Sequence, residues 1–492
     1  MFPEDLRKAF APSHPLSWLL VAVAAYVLLA PNVDFAAERT WHDGQRLGQM
    51  VLLGMAVVLM LGVPGAFVRV LAAWLNFSAA IRRALTGAFV LGAASSLIAP
   101  YPRWALLEWG MLLLLTLLAL GVAAGRRDSG DGADRGFALV VYATALAYTV
   151  KTLVVYLAML AVGPQYGMVF DVRELYPGFS NIRFFGQMQT MLLPFLVLPA
   201  IWWGATPAKR VMLMSIPAFW WMLAIGSGTR GTWVALAVGG ITAFLFGHRP
   251  ARLWLAWQIR ALAFGAVLYA ILILLVPGLL ARPTAFLHRT EDLLSLSHRE
   301  LLWTASINFG LDHPWLGVGP MHFSNTWNPI AAHPHNAMLQ LAAEWGMPAA
   351  LLFMLVFATA GLSWALRVRT VAAVSPETSR SISAVVLLAA LTGAAAQAMV
   401  DGVIVMPVSQ TLLAVLCGWA MGHYYPGPAS VTAPTGRLLP GIVAVLLATG
   451  AVAYSAWLDV PRIEDRENAY WEESPGANLI PRFWAQGWIL YD

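Results

Sequence analysis

Long apolar runs separated by short polar segments make up most of the chain. A membrane-spanning helix needs roughly 20 mostly apolar residues. Runs that approach or exceed this length lie at about 16–31, 47–65, 84–99, 104–124, 137–163, 187–204, 211–226, 231–247, 260–279, 347–366, 382–406, 409–423 and 438–458. The pattern predicts an all-α polytopic membrane protein with about 12–13 transmembrane helices.

Composition agrees with this pattern and excludes several classes of protein. Of the 492 residues, 59% are hydrophobic and 11% are charged, whereas soluble domains carry about 25% charged residues. An ordinary soluble enzyme, a disordered chain and a nucleic-acid-binding protein are therefore excluded. The single Cys417 permits neither an intramolecular disulfide nor a cysteine metal cluster. No small-residue cleavage site follows the first apolar run, so we expect no cleavable signal peptide.

Basic residues fall mostly on one side of the predicted membrane. If the N-terminus is cytoplasmic, the cytoplasmic segments hold 17 of the 30 Lys and Arg residues and 6 of the 25 acidic residues. The opposite side holds 12 basic and 17 acidic residues. Because Lys and Arg are enriched in short cytoplasmic loops, we expect the N-terminus inside and the largest loop outside, and we attribute the net charge of +5 to this topology.

The predicted spans divide the chain into four parts. Residues 1–279 form an N-terminal transmembrane bundle of about nine spans, and 280–346 form a large outer loop. Residues 347–458 form the C-terminal transmembrane helices, and 459–492 form a short tail on the outer side. We expect the large loop to be ordered and functional, because long loops without structure are uncommon. The tail sequence WEESPGANLIPRFW indicates an interfacial segment.

The large loop contains three local signals. Residues 290–311 predict one or two helices, with Thr290 and Glu291 as an N-terminal cap. Residues 312–320 (DHPWLGVGP) predict a loop rich in proline and glycine. Residues 333–346 (HPHNAMLQLAAEWG) predict a helix with Pro334 in its first turn and Gly346 at its end.

His335 is the candidate catalytic residue of this last helix. Helical spacing places His335, Leu339 and Gly346 within about 40° of one face. In the first turn, the positive end of the helix dipole would keep the imidazole neutral, as a general base requires. The alternative is a histidine that caps the helix or lies at the membrane interface.

Four histidines of the large loop also suggest a metal site. His333 and His335 form a His-Pro-His sequence, and His313 and His322 precede them. His-Pro-His is not a standard zinc spacing, and no cluster of acidic residues is near. We therefore predict no metal site.

Arginines on the outer side are candidate ligands for an anion. Arg183 lies in SNIRFFGQ, Arg230 lies in GSGTRGT (226–232), and Arg289 and Arg299 lie in the large loop. Arginine forms bidentate hydrogen bonds with phosphate, and glycines let backbone N–H groups approach an anion. The alternatives are snorkelling to lipid headgroups and a tight interhelical turn, and the sequence leaves them open.

The ionisable residues Lys151 and Asp401 lie inside predicted spans. Charges inside a membrane are costly, and they are usually paired or functional. The simpler interpretation is a structural Lys151–Asp401 ion pair between two spans, and the alternative is a proton or ion path.

Several segments taken together resemble the O-antigen ligase/polymerase superfamily of bacterial inner membranes. They are IRFFGQ (182–187), GSGTRGTW (226–233), SHRELLW (297–303), DHPWLGVGPMHF (312–323) and HPHNAMLQLAAEWG (333–346). The last looks like the ligase pattern His–[Asn/Ser/Gln]–two residues–Leu–six residues–Gly, which His335, Asn336, Leu339 and Gly346 satisfy. The hydropathy layout extends the resemblance over nearly the whole chain.

The resemblance implies a glycosyltransferase of the GT-C type in the inner membrane. Such ligases transfer a glycan from undecaprenyl diphosphate to lipid A–core at the periplasmic face, without nucleotide sugar, cofactor or metal. His335 would be the general base, attack opposite the leaving group would invert the anomeric centre, and three arginines would bind the diphosphate: Arg183, Arg230 and Arg299. Four further residues would support the site: Arg289, His333, Asn336 and His322. The implied partners are the undecaprenyl-diphosphate-linked glycan, lipid A–core and membrane lipids, but no nucleic acid.

Related enzymes with other activities share the histidine-containing loop and the general layout of the spans. Among these activities, the O-antigen ligase is our first interpretation. Protein O-oligosaccharyltransferases usually carry a longer C-terminal domain than the tail 459–492. An O-antigen polymerase, which uses two lipid-linked glycans, is the third interpretation. An exporter of polyprenyl-linked glycans is the alternative from another class, and the scarcity of charges inside the spans weighs against it.

Overall fold

The computed structural model describes residues 16–35, 39–167, 169–282, 284–285, 299–328, 330–376, 378–425, 438–474 and 478–489. Within these ranges the fold is almost entirely helical, and ten helical segments are long and apolar enough to cross a membrane. The prediction of an all-α polytopic membrane protein is therefore confirmed. Arg289 and the proposed cap at Thr290 and Glu291 lie outside the described residues.

The first part of the chain forms helices that run back and forth through the bundle. They are α1 (Ser17–Leu29), α2 (Trp41–Gly62), α3 (Ala66–Leu75), α4 (Ala79–Ile98), α5 (Pro102–Ser129), α6 (Gly132–Ala161), α7 (Ile182–Leu192), α8 (Leu198–Trp203), α9 (Pro207–Ser227), α10 (Arg230–Phe246), α11 (His248–Tyr269) and α12 (Val276–Leu279). α7 and α8 together form one apolar span, and α11 continues through a π-helical turn into α12 to form another.

The second part contains the helices α13 (Arg299–Asp312), α14 (Ala337–Trp345), α15 (Met347–Val374), α16 (Ser379–Ala398), α17 (Pro407–Tyr424), α18 (Leu438–Asp459) and α19 (Ile463–Glu473). A two-residue parallel pairing joins β1 (Phe170–Asp171) to β2 (Thr284–Ala285). This pairing connects the segment before α7 to the segment after α12.

Several predicted spans are shorter or more polar than a full membrane crossing. α1 and α10 are apolar but have only 13 and 17 residues, whereas a crossing needs roughly 20. α17 has 18 residues and contains Ser409, Gln410, Thr411 and His423. These three helices account for the difference between the thirteen predicted runs and the ten long apolar helices.

The most buried spans are α5, the α7–α8 segment and α16. Small residues let neighbouring helices approach them closely, as is common in membrane bundles. A Cβ atom on Gly418 of α17 would overlap the carbonyl oxygen of Ala119 in α5, and a Cβ on Gly239 of α10 would overlap that of Ala389 in α16. The helices that carry the site are therefore packed backbone to backbone.

Polar side chains collect at one end of the bundle. The hydroxyl of Ser409 donates to Gln187 at 2.8 Å, which joins the start of α17 to α7. The amide of Asn336 donates to the carbonyl oxygen of Met399 at 3.1 Å, which joins the start of α14 to the end of α16. The candidate site lies at this end.

The prediction of an interfacial segment is wrong for residues 478–484. Together with residues 485–489 they are inserted into this same end of the bundle. Trp488 is fully buried. The backbone N–H of Ala485 donates to Asp43 Oδ1 at 2.8 Å, and His42 Nε2 donates to the carbonyl oxygen of Phe483 at 3.0 Å. Polar groups at the start of α2 thus satisfy the tail backbone, which the hydropathy of the tail does not reveal.

Candidate active site

His335 lies in the loop that leads into α14, and the prediction that it occupies the first turn of a helix is wrong. α14 begins at Ala337, and Asn336 is its N-cap. The side-chain oxygen of Asn336 accepts hydrogen bonds at 3.0 Å from the backbone N–H groups of the second and third helical residues. Because asparagine is among the best N-cap residues, it sets the start of the helix after His335. Pro334 therefore precedes the helix.

The backbone of His335 is strained. Its φ is +54°, in the left-handed region that few residues other than glycine adopt. Such conformations cost of order 1–3 kcal/mol and persist where the surrounding structure imposes them. Two contacts impose this one: the His335 N–H donates to His333 Nδ1 at 3.3 Å, and the next residue, Asn336, bonds to Met399.

Gly346 is required by the loop that crosses the end of α14. Its φ is +86°, and a Cβ there would overlap the backbone of Trp315. The same loop is bonded to the helix through the N–H of Gly319, which donates to the carbonyl oxygen of Glu344 at 3.0 Å. Since neither His335 nor Gly346 is helical, the predicted helical face that they share is wrong.

Asp401 is the partner of His335. The distance from His335 Nδ1 to Asp401 Oδ1 is 3.6 Å, and both side chains are buried. Asp401 lies in the connection between α16 and α17, where the N–H of Gly402 donates to Oδ1 at 2.8 Å. Gln397 in the last turn of α16 lies 3.5 Å from Oδ2.

The predicted ion pair between Lys151 and Asp401 is wrong. Lys151 Nζ donates to the carbonyl oxygen of Pro31 at 3.1 Å and lies 3.7 Å from the centre of the Trp41 ring. Carbonyl and aromatic groups therefore hold this ammonium group. Asp401 is left to interact with the imidazole.

His333 packs against His335 and against the connection that carries Asp401. The centroids of the two imidazole rings are 4.2 Å apart, and the rings are nearly perpendicular. His333 Nδ1 accepts the backbone N–H of His335, and its ring lies against Gly402, where a Cβ would leave no room. His333 thus contacts both the His335 loop and the Asp401 connection.

The surroundings of His335, burial above all, favour a neutral imidazole. Burial lowers the pKa of His335, Asp401 opposes this shift, and the charges of Arg183 and Arg299 reinforce it. The pKa of Asp401 is also lowered: burial raises it, but His335, the N–H of Gly402 and Arg183 outweigh burial. At neutral pH the pair is therefore an imidazole beside a carboxylate.

Arg183 and Arg299 lie close enough for their charges to reach this pair. Arg183 is the second residue of α7, whose N-cap is Asn181. Arg299 is the first residue of α13. Two arginines that are separated by more than a hundred residues in the sequence therefore act on the same imidazole.

Arg230 is the first residue of α10. Gly228, in the left-handed conformation, ends α9 and allows the tight turn into α10. Gly186 of α7 lies against Thr232, and Gly231 lies against Val400, the neighbour of Asp401. The starts of α7 and α10 therefore meet beside the Asp401 connection.

His322 contributes to the loop that supports α14. Its Nδ1 donates to the carbonyl oxygen of Pro320 at 2.9 Å, and its Nε2 accepts the N–H of Tyr101 at 3.0 Å. Both ring nitrogens are therefore occupied by the backbone. His313, in the same loop, is exposed.

Three buried charged residues that sequence reasoning did not single out lie behind α14. Arg482 forms ion pairs of 2.7 Å with Glu108 and Glu344. Burial raises the pKa of Glu344 to about 7, with Arg482 opposing the shift and Glu108 adding to it. An acidic residue in an otherwise apolar helix was the available signal for Glu344 and Glu108, whereas Arg482 lies in a tail without a recognisable motif.

Metal ligands are not clustered in the part of the chain that the structure describes. No group of three or more His, Cys, Asp or Glu side chains there is arranged to hold a metal ion. The chemistry of the described site is that of imidazole, carboxylate and guanidinium groups.

A family model described as O-antigen ligase matches residues 212–354. The matched range runs from α9 into α15 and includes Arg230, Arg299 and His335, whereas Arg183 and Asp401 lie outside it. This match supports membership of the O-antigen ligase/polymerase superfamily. No curated protein matches the chain.

Membership of the O-antigen ligase/polymerase superfamily agrees with the multi-pass membrane fold. It implies a glycosyltransferase-like protein that acts on a polyprenyl-linked glycan and a lipid acceptor. The resemblance drawn from the motifs is therefore confirmed at the level of the superfamily.

Proposed function

We propose that the protein is an O-antigen ligase, which transfers a glycan from undecaprenyl diphosphate to lipid A–core at the periplasmic face of the bacterial inner membrane. The observation that carries this proposal is the buried His335–Asp401 pair with the charges of Arg183 and Arg299 beside it. Transfer from a diphosphate needs a base for the acceptor proton and cations for the departing anion. The site combines both.

His335 acts as the general base in this proposal. Asp401 faces Nδ1 of the imidazole at 3.6 Å, so Nε2 is the nitrogen that accepts the proton. Catalytic hydrogen bonds are often long in a free enzyme and shorten when substrate binds. Asp401 then orients the ring and stabilises the imidazolium that forms.

The reaction is a single displacement at the anomeric carbon of the donor glycan. A hydroxyl group of the core sugar loses its proton to His335 as its oxygen bonds to that carbon. The bond between the carbon and the diphosphate oxygen breaks, and the electron pair leaves with undecaprenyl diphosphate. His335 later releases the proton to solvent. Attack opposite the leaving group inverts the anomeric configuration.

Arg183, Arg230 and Arg299 bind the diphosphate. Arg183 forms no ion pair with a carboxylate of the described residues, so its guanidinium can serve a ligand. Arg230 and Arg299 begin helices, where backbone N–H groups add positive potential. Fixed cations stabilise the charge that develops on the leaving group. Because arginines supply this charge, we propose a reaction without metal or cofactor.

A reconstituted transfer assay tests this function. Purified protein in lipid nanodiscs is mixed with undecaprenyl-diphosphate-linked O-antigen and lipid A–core, with a chelator and without nucleotide. We expect transfer by the wild type and a loss of about 10²–10⁴-fold in His335→Ala, the range of general base catalysis. His313→Ala, which removes an exposed histidine of the same loop, is the matched control and should remain active.

Other outcomes of the same assay contradict parts of the proposal. Equal transfer by His335→Ala would remove His335 as the base, and a requirement for a divalent metal would overturn the metal-independent reaction. Transfer to a protein acceptor would identify a protein O-oligosaccharyltransferase, and growth of the lipid-linked chain would identify an O-antigen polymerase. An exporter of polyprenyl-linked glycans would move the donor across vesicles without transfer and would tolerate His335→Ala.

A further inference from the structure

Residues 478–489, which we call the C-terminal strap, are buried at the end of the bundle that holds His335. The exposed fractions of Arg482, Trp484 and Trp488 are 2%, 2% and 0%. The strap makes three separate contacts with the elements that carry the catalytic pair.

The first contact joins the strap to α14. Arg482 Nη2 lies 2.7 Å from a carboxylate oxygen of Glu344 and 2.7 Å from one of Glu108. Glu344 is in the last turn of α14, the helix that begins two residues after His335. Because α5 supplies Glu108, this buried cluster holds α14 between the strap and the most buried part of the bundle.

The second contact joins the strap to the connection that carries Asp401. Arg46 Nε donates to the carbonyl oxygen of Phe483 at 3.1 Å, and Arg46 Nη2 donates to that of Arg482 at 3.2 Å. The same Nη2 donates to the carbonyl oxygen of Val405 at 2.6 Å. Val405 lies four residues after Asp401, so one guanidinium spans the strap and this connection.

The third contact is apolar and lies directly before the histidine pair. Ala332 packs with Trp488, and Ala331 packs in a cluster that Ile480 of the strap completes. The loop that enters His333 is therefore held on the strap as well.

We infer that the C-terminal strap sets the position of His335 against Asp401, with Arg482 as the positioning residue. The inference rests on the proposed function, because it assigns these two side chains to proton transfer. The strap is bonded directly to α14, which follows His335, and through Arg46 to the connection that carries Asp401, on the two sides of the 3.6 Å gap. Proton transfer is sensitive to small displacements, so the strap controls the rate without touching substrate.

A purely structural role for the strap predicts a different result. The protein contains a second buried arginine cluster, in which Arg126 lies 3.0 Å from Asp131 and from Asp134. Arg126 is about 27 Å along α5 from Glu108 at 1.5 Å per residue. Substitution of Arg126 therefore controls for the loss of a buried ion cluster far from His335.

The test compares Arg482→Gln, Arg482→Lys and Arg126→Gln in the full-length protein in nanodiscs. The glycan-transfer assay yields kcat and KM, and hydrogen–deuterium exchange follows peptides that cover 331–340 and 400–406. For Arg482→Gln we expect kcat to fall about 10–100-fold, with little change in KM and faster exchange in both peptides. Arg482→Lys should recover part of kcat. Arg126→Gln should keep wild-type kcat and exchange in these peptides.

The inference is overturned if folded Arg482→Gln has the kcat of the wild type. It is also overturned if Arg126→Gln loses as much kcat as Arg482→Gln. If Arg482→Gln does not fold, the double variant Arg482→Gln/Glu344→Gln, which also removes a counter-charge, replaces it with the same expectations. If the wild type transfers no glycan, the proposed function fails by itself. Hydrogen–deuterium exchange then tests the strap alone. Faster exchange of both peptides in Arg482→Gln supports the positioning role of the strap, and unchanged exchange overturns it.

Discussion

Two buried His–Asp pairs lie near opposite ends of α17 and differ in how well they are bonded. His423 Nε2 lies 2.9 Å from Asp134 Oδ2, whereas His335 Nδ1 lies 3.6 Å from Asp401 Oδ1. His423 is in the last turn of α17, about 24 Å along the helix from Pro407, where the connection from Asp401 enters. The same two residue types therefore occur in two different environments.

The His423–Asp134 pair belongs to a completed network. Asp134 also accepts hydrogen bonds from Trp419 Nε1 at 2.8 Å and from Arg126 Nη2 at 3.0 Å. Arg126 bonds to Asp131 in addition. Buried charges that are paired and hydrogen-bonded in this way stabilise a fold.

The His335–Asp401 pair is incomplete by comparison. His335 has a left-handed backbone. Among the described residues, its Nδ1 and the Oε1 of Gln397 beside Asp401 lack hydrogen-bond partners. Strained and unsatisfied groups are typical of functional sites, where substrate supplies the missing interactions. The comparison teaches that the surroundings of a His–Asp pair, and not its composition, separate a structural pair from a reactive one.

The arginines beside the two pairs should differ strongly in their effect on glycan transfer. Arg183→Ala should reduce glycan transfer about 10²–10³-fold, because it removes a fixed charge from the leaving group, and Arg230→Ala should do the same. Arg126→Gln should lower the melting temperature and leave the transfer rate per folded protein unchanged. Rates normalised to the folded, monodisperse fraction check both statements. Full activity of Arg183→Ala or Arg230→Ala would remove that residue from the diphosphate site.

Asp401 and Asp134 should differ in their effects on kcat and on its pH dependence. Asp401→Asn should lower kcat about 10-fold or more, because the ring loses its orienting carboxylate. Asp401 also raises the pKa of His335. Its removal should therefore lower that pKa and move the acid limb of the kcat/KM profile to lower pH. Asp134→Asn should leave this limb in place but lower the melting temperature. An acid limb that moves to higher pH in Asp401→Asn would contradict the assignment.

The smallest expected difference is one of stability, between the two histidines. Asparagine adopts the left-handed conformation more readily than histidine. His335→Asn should therefore abolish transfer but reduce the free energy of unfolding by less than about 1 kcal/mol. His423→Asn should cost about 1–3 kcal/mol, because it leaves Asp134 short of a buried partner. Unfolding of both variants in detergent measures this contrast, and a larger loss in His335→Asn would reverse it.

Helices were more predictable than their ends. Apolar runs of about 20 residues have the length and composition of membrane-spanning helices, so the class of the fold follows from the sequence. The start of α14 does not, because Pro334 and Asn336 are both good residues for a helix start. The hydrogen bonds of Asn336 to the helix and to Met399 decide that the helix begins after Asn336 and not at Pro334.

The candidate site was only partly predictable. His335, Arg183 and Arg299 come from motifs, and the structure places the two arginines within electrostatic reach of His335. Asp401 was noticed for its charge but assigned to Lys151, because a sequence does not show which buried charges meet. Arg482 was missed, since nothing in its neighbourhood distinguishes a buried strap from an interfacial segment.

The sequence by itself indicated a helical membrane protein that resembles the O-antigen ligase/polymerase superfamily, because hydropathy and short motifs are local properties. The tertiary structure decided that His335 faces Asp401, that Asn336 caps α14, that Gly346 must be a glycine, and that residues 478–489 lie behind the site. These features depend on contacts between residues far apart in the chain, such as Arg482 with Glu108 and His335 with Asp401. Such contacts arise only when helices pack, and packing depends on the whole bundle.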